Sequence, residues 1–219
     1  MLNLILKDIL IQKKTLAFLG LYIIIFSISF QHTGAGAFAA IAVAVTYQMV
    51  ATACGHEEKA GSDIIWNSMP LSREKIVLSK YLSVFVYALL AALGYMAFTL
   101  LLSFVRLPFR IVPITMESVA AGLIGILLMN GIYFPVYFKL GYMKARVVSF
   151  VLFFVFFFGI MSLAEVVSSN QSNALLQTIT AALHGASDLQ ILFVMIGAAL
   201  IFMLISYALS VKLYNSREF

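Results

Sequence analysis

Charge is what this sequence has least of. Lysine, arginine, aspartate and glutamate together make up 11% of the 219 residues, against roughly a quarter in ordinary soluble domains. Hydrophobic residues make up 63% and the mean hydropathy is +1.05, so the chain reads as an integral membrane protein. Cysteine is nearly absent too. Cys54 stands alone, which excludes an intramolecular disulfide and any metal site built on CxxC. A phosphate cradle of the form GxxxxGK[ST] is also missing, since Lys14-Thr15 has the final pair without the glycines. Nucleotide hydrolysis by that route is excluded. His56-Glu57-Glu58 has Ala60 where an HExxH zinc helix needs its second histidine, and no separate soluble domain or low-complexity tract is present.

What the chain does have is long runs without charge. A spanning helix needs about 20 apolar residues, because the hydrocarbon layer is about 30 Å thick and a helix rises about 1.5 Å per residue. Charge-free stretches meeting that need lie at about 15–31, 34–54, 81–105, 118–138, 147–164 and 189–211. A charge at the centre of any of them would oppose insertion by about 2.5 to 3.5 kcal/mol. The runs are continuous rather than alternating over about ten residues, as barrel strands would be. The expected fold is therefore all-α, a single unit over 1–219 with six transmembrane helices.

Before the first run, Leu2, Ile5, Leu6 and Ile9 recur at helical spacing while Asn3, Lys7 and Lys14 lie on the other side. That pattern suits an interfacial helix over about 1–13. The competing reading is a signal peptide cleaved near Ala35–Phe38. With the N-terminus inside, twelve of the fourteen basic residues fall on the cytoplasmic side and only Arg106 and Arg110 fall outside. This positive-inside bias puts both termini in the cytoplasm, and it accounts for the net charge of +5 without nucleic-acid binding.

One segment breaks the apolar rhythm. Residues 55–80, "GHEEKAGSDIIWNSMPLSREKIVLSK", hold four of the nine acidic residues. Ile64, Ile65 and Trp66 form a compact apolar group of the kind that anchors interfaces, rimmed by Glu57, Glu58 and Asp63. Pro70 separates this group from the next helix, and Ser72 is placed to cap that helix as it continues into the third span. The plainer alternative is a solvated loop whose tryptophan rests at the membrane interface. An intramembrane protease of the CAAX-processing type also begins its hallmark with Glu-Glu, but "EEKAGS" lacks the arginine that such a hallmark needs, and the spans contain no histidines for it.

Taken in order, an interfacial helix, two spans, the charged segment, four spans and a tail ending "KLYNSREF" resemble the permease subunit of an ABC transporter of the ABC-2 type. The likeness covers essentially the whole chain. Its most specific part is an acidic pair, Gly61, an apolar turn, and then Pro70, Ser72, Arg73, Ile76 and Lys80 in a P-x-S-R-x-x-I/V-x-x-x-K pattern. The resemblance implies that 55–80 is a coupling helix docking a separate cytoplasmic P-loop ATPase, with Glu57, Glu58, Gly61, Asp63, Ile64, Ile65, Trp66, Pro70 and Arg73 at or beside the contact. ATP and Mg would belong to that partner, and this chain would bind no cofactor and catalyse nothing. It also implies a bacterial cell membrane, a second permease forming a homodimer or heterodimer, and short helices dipping into the outer leaflet between Glu165 and Asp188.

Small six-span members of the resembled family, such as exporters of phenol-soluble-modulin-type peptides, suggest an amphipathic cargo. An antibiotic or a lipid-like molecule fits the same reading. Gln48, Thr52, Asn130 and Tyr133 are the candidates for a substrate path, with interhelical hydrogen bonding as the alternative role. Pro135 is able to kink the fourth span. Ala35, Ala39, Ala40 and Ala44 would permit close approach of a second permease. The runner-up function is a non-transporting immunity or sensory component that docks a cytoplasmic regulator through the same charged segment.

Overall fold

The computed structural model describes residues 18–30, 34–60, 72–105, 113–169 and 188–217. Every regular element among them is helical: α1 (Leu19–Phe30), a single 3-10 turn (Gly34–Gly36), α2 (Ala37–Lys59), α3 (Arg73–Val105), α4 (Met116–Leu140), α5 (Tyr142–Ser169) and α6 (Asp188–Asn215). Five of these are long and apolar enough to cross a membrane. The integral membrane, all-α architecture expected from hydropathy is the one observed.

The exception is α1, whose 12 residues span only about 18 Å at 1.5 Å per residue. The residues before Phe18, including the expected interfacial helix, lie outside the described residues.

Helices and charge-free runs differ in their ends. The second run stops at 54, yet α2 continues to Lys59; the third starts at 81, yet α3 begins at Arg73. Hydropathy stops at the first charge, whereas backbone hydrogen bonds continue as long as each charged side chain finds a partner or water. The 33 residues of α3 extend about 50 Å, well beyond a hydrocarbon layer of about 30 Å. Ser72 stands immediately before this helix, and its carbonyl accepts from the Lys75 and Ile76 amides, so one unbroken helix leads from the charged segment into the membrane.

α4 sits at the centre, packed on α2, α6 and α5, and small residues bring the backbones together. A Cβ placed on Gly122 would lie 3.4 Å from the Ala39 Cα, and one on Gly125 would meet Val43 Cγ2 at 2.7 Å. Lipid tails give apolar helices no hydrophobic reason to associate, so this close packing is a main source of attraction. Ala39 thus approaches α4 of its own chain, and Ala44 is fully buried in the same bundle. The smallness of Ala39 serves the internal α2–α4 contact, whatever a second permease does. The Ala35 side chain lies outside the described residues.

Pro135 lies inside α4. Having no N–H, it leaves the Gly131 carbonyl without its helical donor. Ser206 of α6 supplies the missing hydrogen bond, donating its hydroxyl to Gly131 O. The same Ser206 hydroxyl lies 2.7 Å from the Tyr81 hydroxyl of α3, which also reaches Ser210 Oγ at 2.8 Å. Three helices are joined by this buried polar cluster one residue beyond Lys80.

Candidate functional site

The charged segment resolves into two helical flanks. Gly55–Lys59 is the last part of α2, and Arg73–Lys80 is the first part of α3. Gly61, Asp63, Ile64, Ile65, Trp66 and Pro70, which carry the expected apolar anchor and its surroundings, lie outside the described residues. Glu57, Glu58 and Arg73 are described, and each of the three is engaged with another part of the chain.

Glu57 Oε2 lies 2.6 Å from Lys80 Nζ. The two residues are 5% and 4% exposed, among Ile76, Tyr137, Phe138, Tyr214 and Arg217. Each charge alone would be strongly disfavoured in such surroundings, so the pairing is what permits both. It closes α2 onto α3 at the two ends of the intervening segment.

The Glu58 carboxylate performs a different task. It accepts hydrogen bonds from the backbone amides of Tyr142 and Met143, the first two residues of α5. Those amides have no partner within their own helix, and a carboxylate also complements the positive end of the helix dipole. The tight α4–α5 turn that presents them depends on Gly141, whose φ is +75°. A Cβ at Gly141 would sit 2.9 Å from Arg217 Nη2 and 3.4 Å from Glu58 Oε2, so an acidic and a basic side chain converge over this glycine. Next to it, the Tyr142 ring packs so closely on Gly55 that a Cβ there would meet it at 2.6 Å.

Arg73 serves the end of α6. Its Nη1 donates to the carbonyls of Tyr214 at 3.2 Å and Asn215 at 3.0 Å, with Arg217 O at 3.5 Å, and its guanidinium lies 5.8 Å from the centre of the Tyr214 ring. A cation at a helix C-terminus satisfies carbonyls that lack intrahelical donors. The flanks of the charged segment are therefore fastened to each other, to the start of α5 and to the end of α6. Lys80, Tyr142 and the α6 terminus are the members that spacing within 55–80 does not single out. Lys80 stands in the family pattern, but its pairing with Glu57 is a tertiary fact.

The four polar positions expected to line a path separate into two groups. Asn130 and Tyr133 are 0% and 1% exposed; the Asn130 amide donates to Ile126 O at 2.8 Å, and the Tyr133 ring meets Tyr47 edge to face. Both lie in the bundle core. Gln48, by contrast, lines a groove of about 760 Å³ between α2 and α5. Thr52 is one turn further along α2, half-buried, with its hydroxyl donating to Gln48 O at 2.6 Å.

A family model described as "ABC-2 family transporter protein" matches residues 3–215. Neither the curated proteins nor the solved structures give a match. With nearly its whole length matched, the chain belongs to the ABC-2 transporter family.

Proposed function

We propose, from that membership, that this permease subunit docks its ATP-binding partner through residues 55–80 and moves an amphipathic or hydrophobic cargo outward. Membership makes the chain a membrane transport component of an ABC transporter, itself without catalytic activity, and implies an ATP-binding partner. In the proposed arrangement the partner is a separate cytoplasmic P-loop ATPase holding ATP and Mg, and a second permease completes the passage. Both termini face the cytoplasm of a bacterial cell, and the cargo is a peptide, antibiotic or lipid-like molecule.

The observation that carries this reading is the fastening of both flanks. Glu57 with Lys80, Glu58 with the α5 amides, and Arg73 with the α6 carbonyls make the ends of the charged segment continuous with the helix bundle. A push on the segment would move a packed unit rather than a free loop. Glu57, Glu58 and Arg73 thus act as transmitting residues, and Ile64, Ile65 and Trp66 are left as the contact itself.

The test is purification of the tagged chain in mild detergent from cells expressing its native neighbours. A stoichiometric P-loop ATPase should accompany the wild type and be lost from a Trp66→Ala chain that still inserts. Full retention of the ATPase by Trp66→Ala would remove the docking assignment.

A further inference from the structure

Arg217 lies two residues beyond α6, and its backbone is held on both sides. Its amide donates to Tyr214 O at 3.3 Å, in a final turn that Ser216 also closes by donating its amide to Lys212 O and its hydroxyl to Leu213 O. Its carbonyl lies 3.5 Å from Arg73 Nη1 at the start of α3. The half-buried side chain then leaves α6 altogether. It reaches the Gly141 turn, where a Cβ would sit 2.9 Å from Arg217 Nη2 and 3.4 Å from Glu58 Oε2. It also lines a small cavity together with Glu57 and Lys80.

These contacts cross a gap in the helix packing. Interhelical geometry is ordinarily set by ridges of one helix lying in the grooves of another. Among the described residues, α6 packs on α4 and α3, and α5 packs on α4 and α2, but α6 shares no extended surface with either α2 or α5. Arg217 brings the end of α6 to the end of α2 and the start of α5. Arginine suits such a junction, because its guanidinium stays charged and presents five N–H donors in a rigid fork.

We propose that Arg217 is a positioning residue for coupling: its guanidinium latches the end of α6 onto Glu58 and the start of α5, so that both flanks of residues 55–80 move with α5 and α6 as one body. The use of this latch in transport rests on the proposed docking of the ATP-binding partner through residues 55–80. The latch itself belongs to the chain alone.

The first test therefore uses the full-length chain in neutral detergent without a partner. Lys59 and Lys212 are both exposed, and nitroxides on Lys59→Cys and Lys212→Cys in a Cys54→Ala background report the α2–α6 distance by double electron–electron resonance. The wild-type distribution should be narrow. Arg217→Ala should broaden it while the thermal midpoint stays close to that of the wild type, and Arg217→Lys should restore it in part, because an ammonium keeps the charge without the fork. A distribution as narrow in Arg217→Ala as in the wild type would overturn the latch, as would a broad one in the wild type. Should Arg217→Ala fail to fold, phenylglyoxal decides on the wild type: much slower modification of Arg217 in the folded than in the denatured chain supports the latch, and equal rates refute it.

The second test repeats the distance measurement in the complex with the ATPase, before and after trapping with ATP and vanadate. The Lys59–Lys212 distance should stay fixed on trapping in the wild type and change in Arg217→Ala, with the ATPase retained equally by both. An identical response in the two chains would overturn the positioning role. Absence of the ATPase from the wild type would refute docking, while the distances in the isolated chain still decide the latch.

Discussion

Glu57 and Lys80 meet at 2.6 Å in a nearly closed setting of Ile76, aromatic rings and Arg217, one at the end of α2 and the other in the third turn of α3. With Glu58 on the α5 amides and Arg73 on the α6 carbonyls, they fix the two flanks of the segment between those helices. Removing one partner leaves the other charge buried without its ion pair, which typically costs about 3 to 5 kcal/mol. Lys80→Met should therefore lower the thermal midpoint of the purified chain strongly, and Glu57→Leu combined with Lys80→Met should recover most of the loss. Recovery without restored transport would separate the pair's role in transmission from its role in folding. A Lys80→Met chain as stable as the wild type would show that the pair is not closed.

Ser206 and Pro135 make a second, independent pair for a double-mutant cycle. Ser206→Ala withdraws the donor from the carbonyl that Pro135 orphans, and an unsatisfied buried acceptor costs about 1 to 3 kcal/mol. In a Pro135→Ala background the α4 backbone regains its own N–H, so Ser206→Ala should cost less there. Chemical denaturation in detergent measures both. Equal costs in the two backgrounds would mean that Ser206 acts through Tyr81 alone.

Topology can be mapped with single cysteines, because Cys54 is fully buried and should stay silent to a membrane-impermeant maleimide. Lys59→Cys should label only after the cytoplasmic side is opened, and Asn173→Cys should label in intact cells. The reverse pattern would invert the orientation and place the charged segment outside, away from any cytoplasmic ATPase.

Hydropathy reveals the helices well because membrane insertion is a per-residue cost summed over about 20 positions, and five long apolar helices stand where charge-free runs are read. Their ends are less legible. Gly55–Lys59 and Arg73–Lys80 are helical because Lys80, the α5 amides and the α6 carbonyls partner their charges, and all those partners lie far away in sequence. Pro135 is readable as a kink; Ser206 as its remedy is not, since nothing in a serine announces which carbonyl it will serve. Gln48, Thr52, Asn130 and Tyr133 look alike as polar residues in apolar runs. Only packing separates Gln48, on an open groove, from Asn130 and Tyr133 in the core.

The most direct test of docking through residues 55–80 places a photocrosslinking amino acid at Ile65 in native membranes and identifies the products by mass spectrometry. A covalent adduct with a P-loop ATPase, diminished in Trp66→Ala, is the predicted result. Adducts only with lipid, or only with this same chain, would contradict docking and return residues 55–80 to a loop resting at the membrane surface.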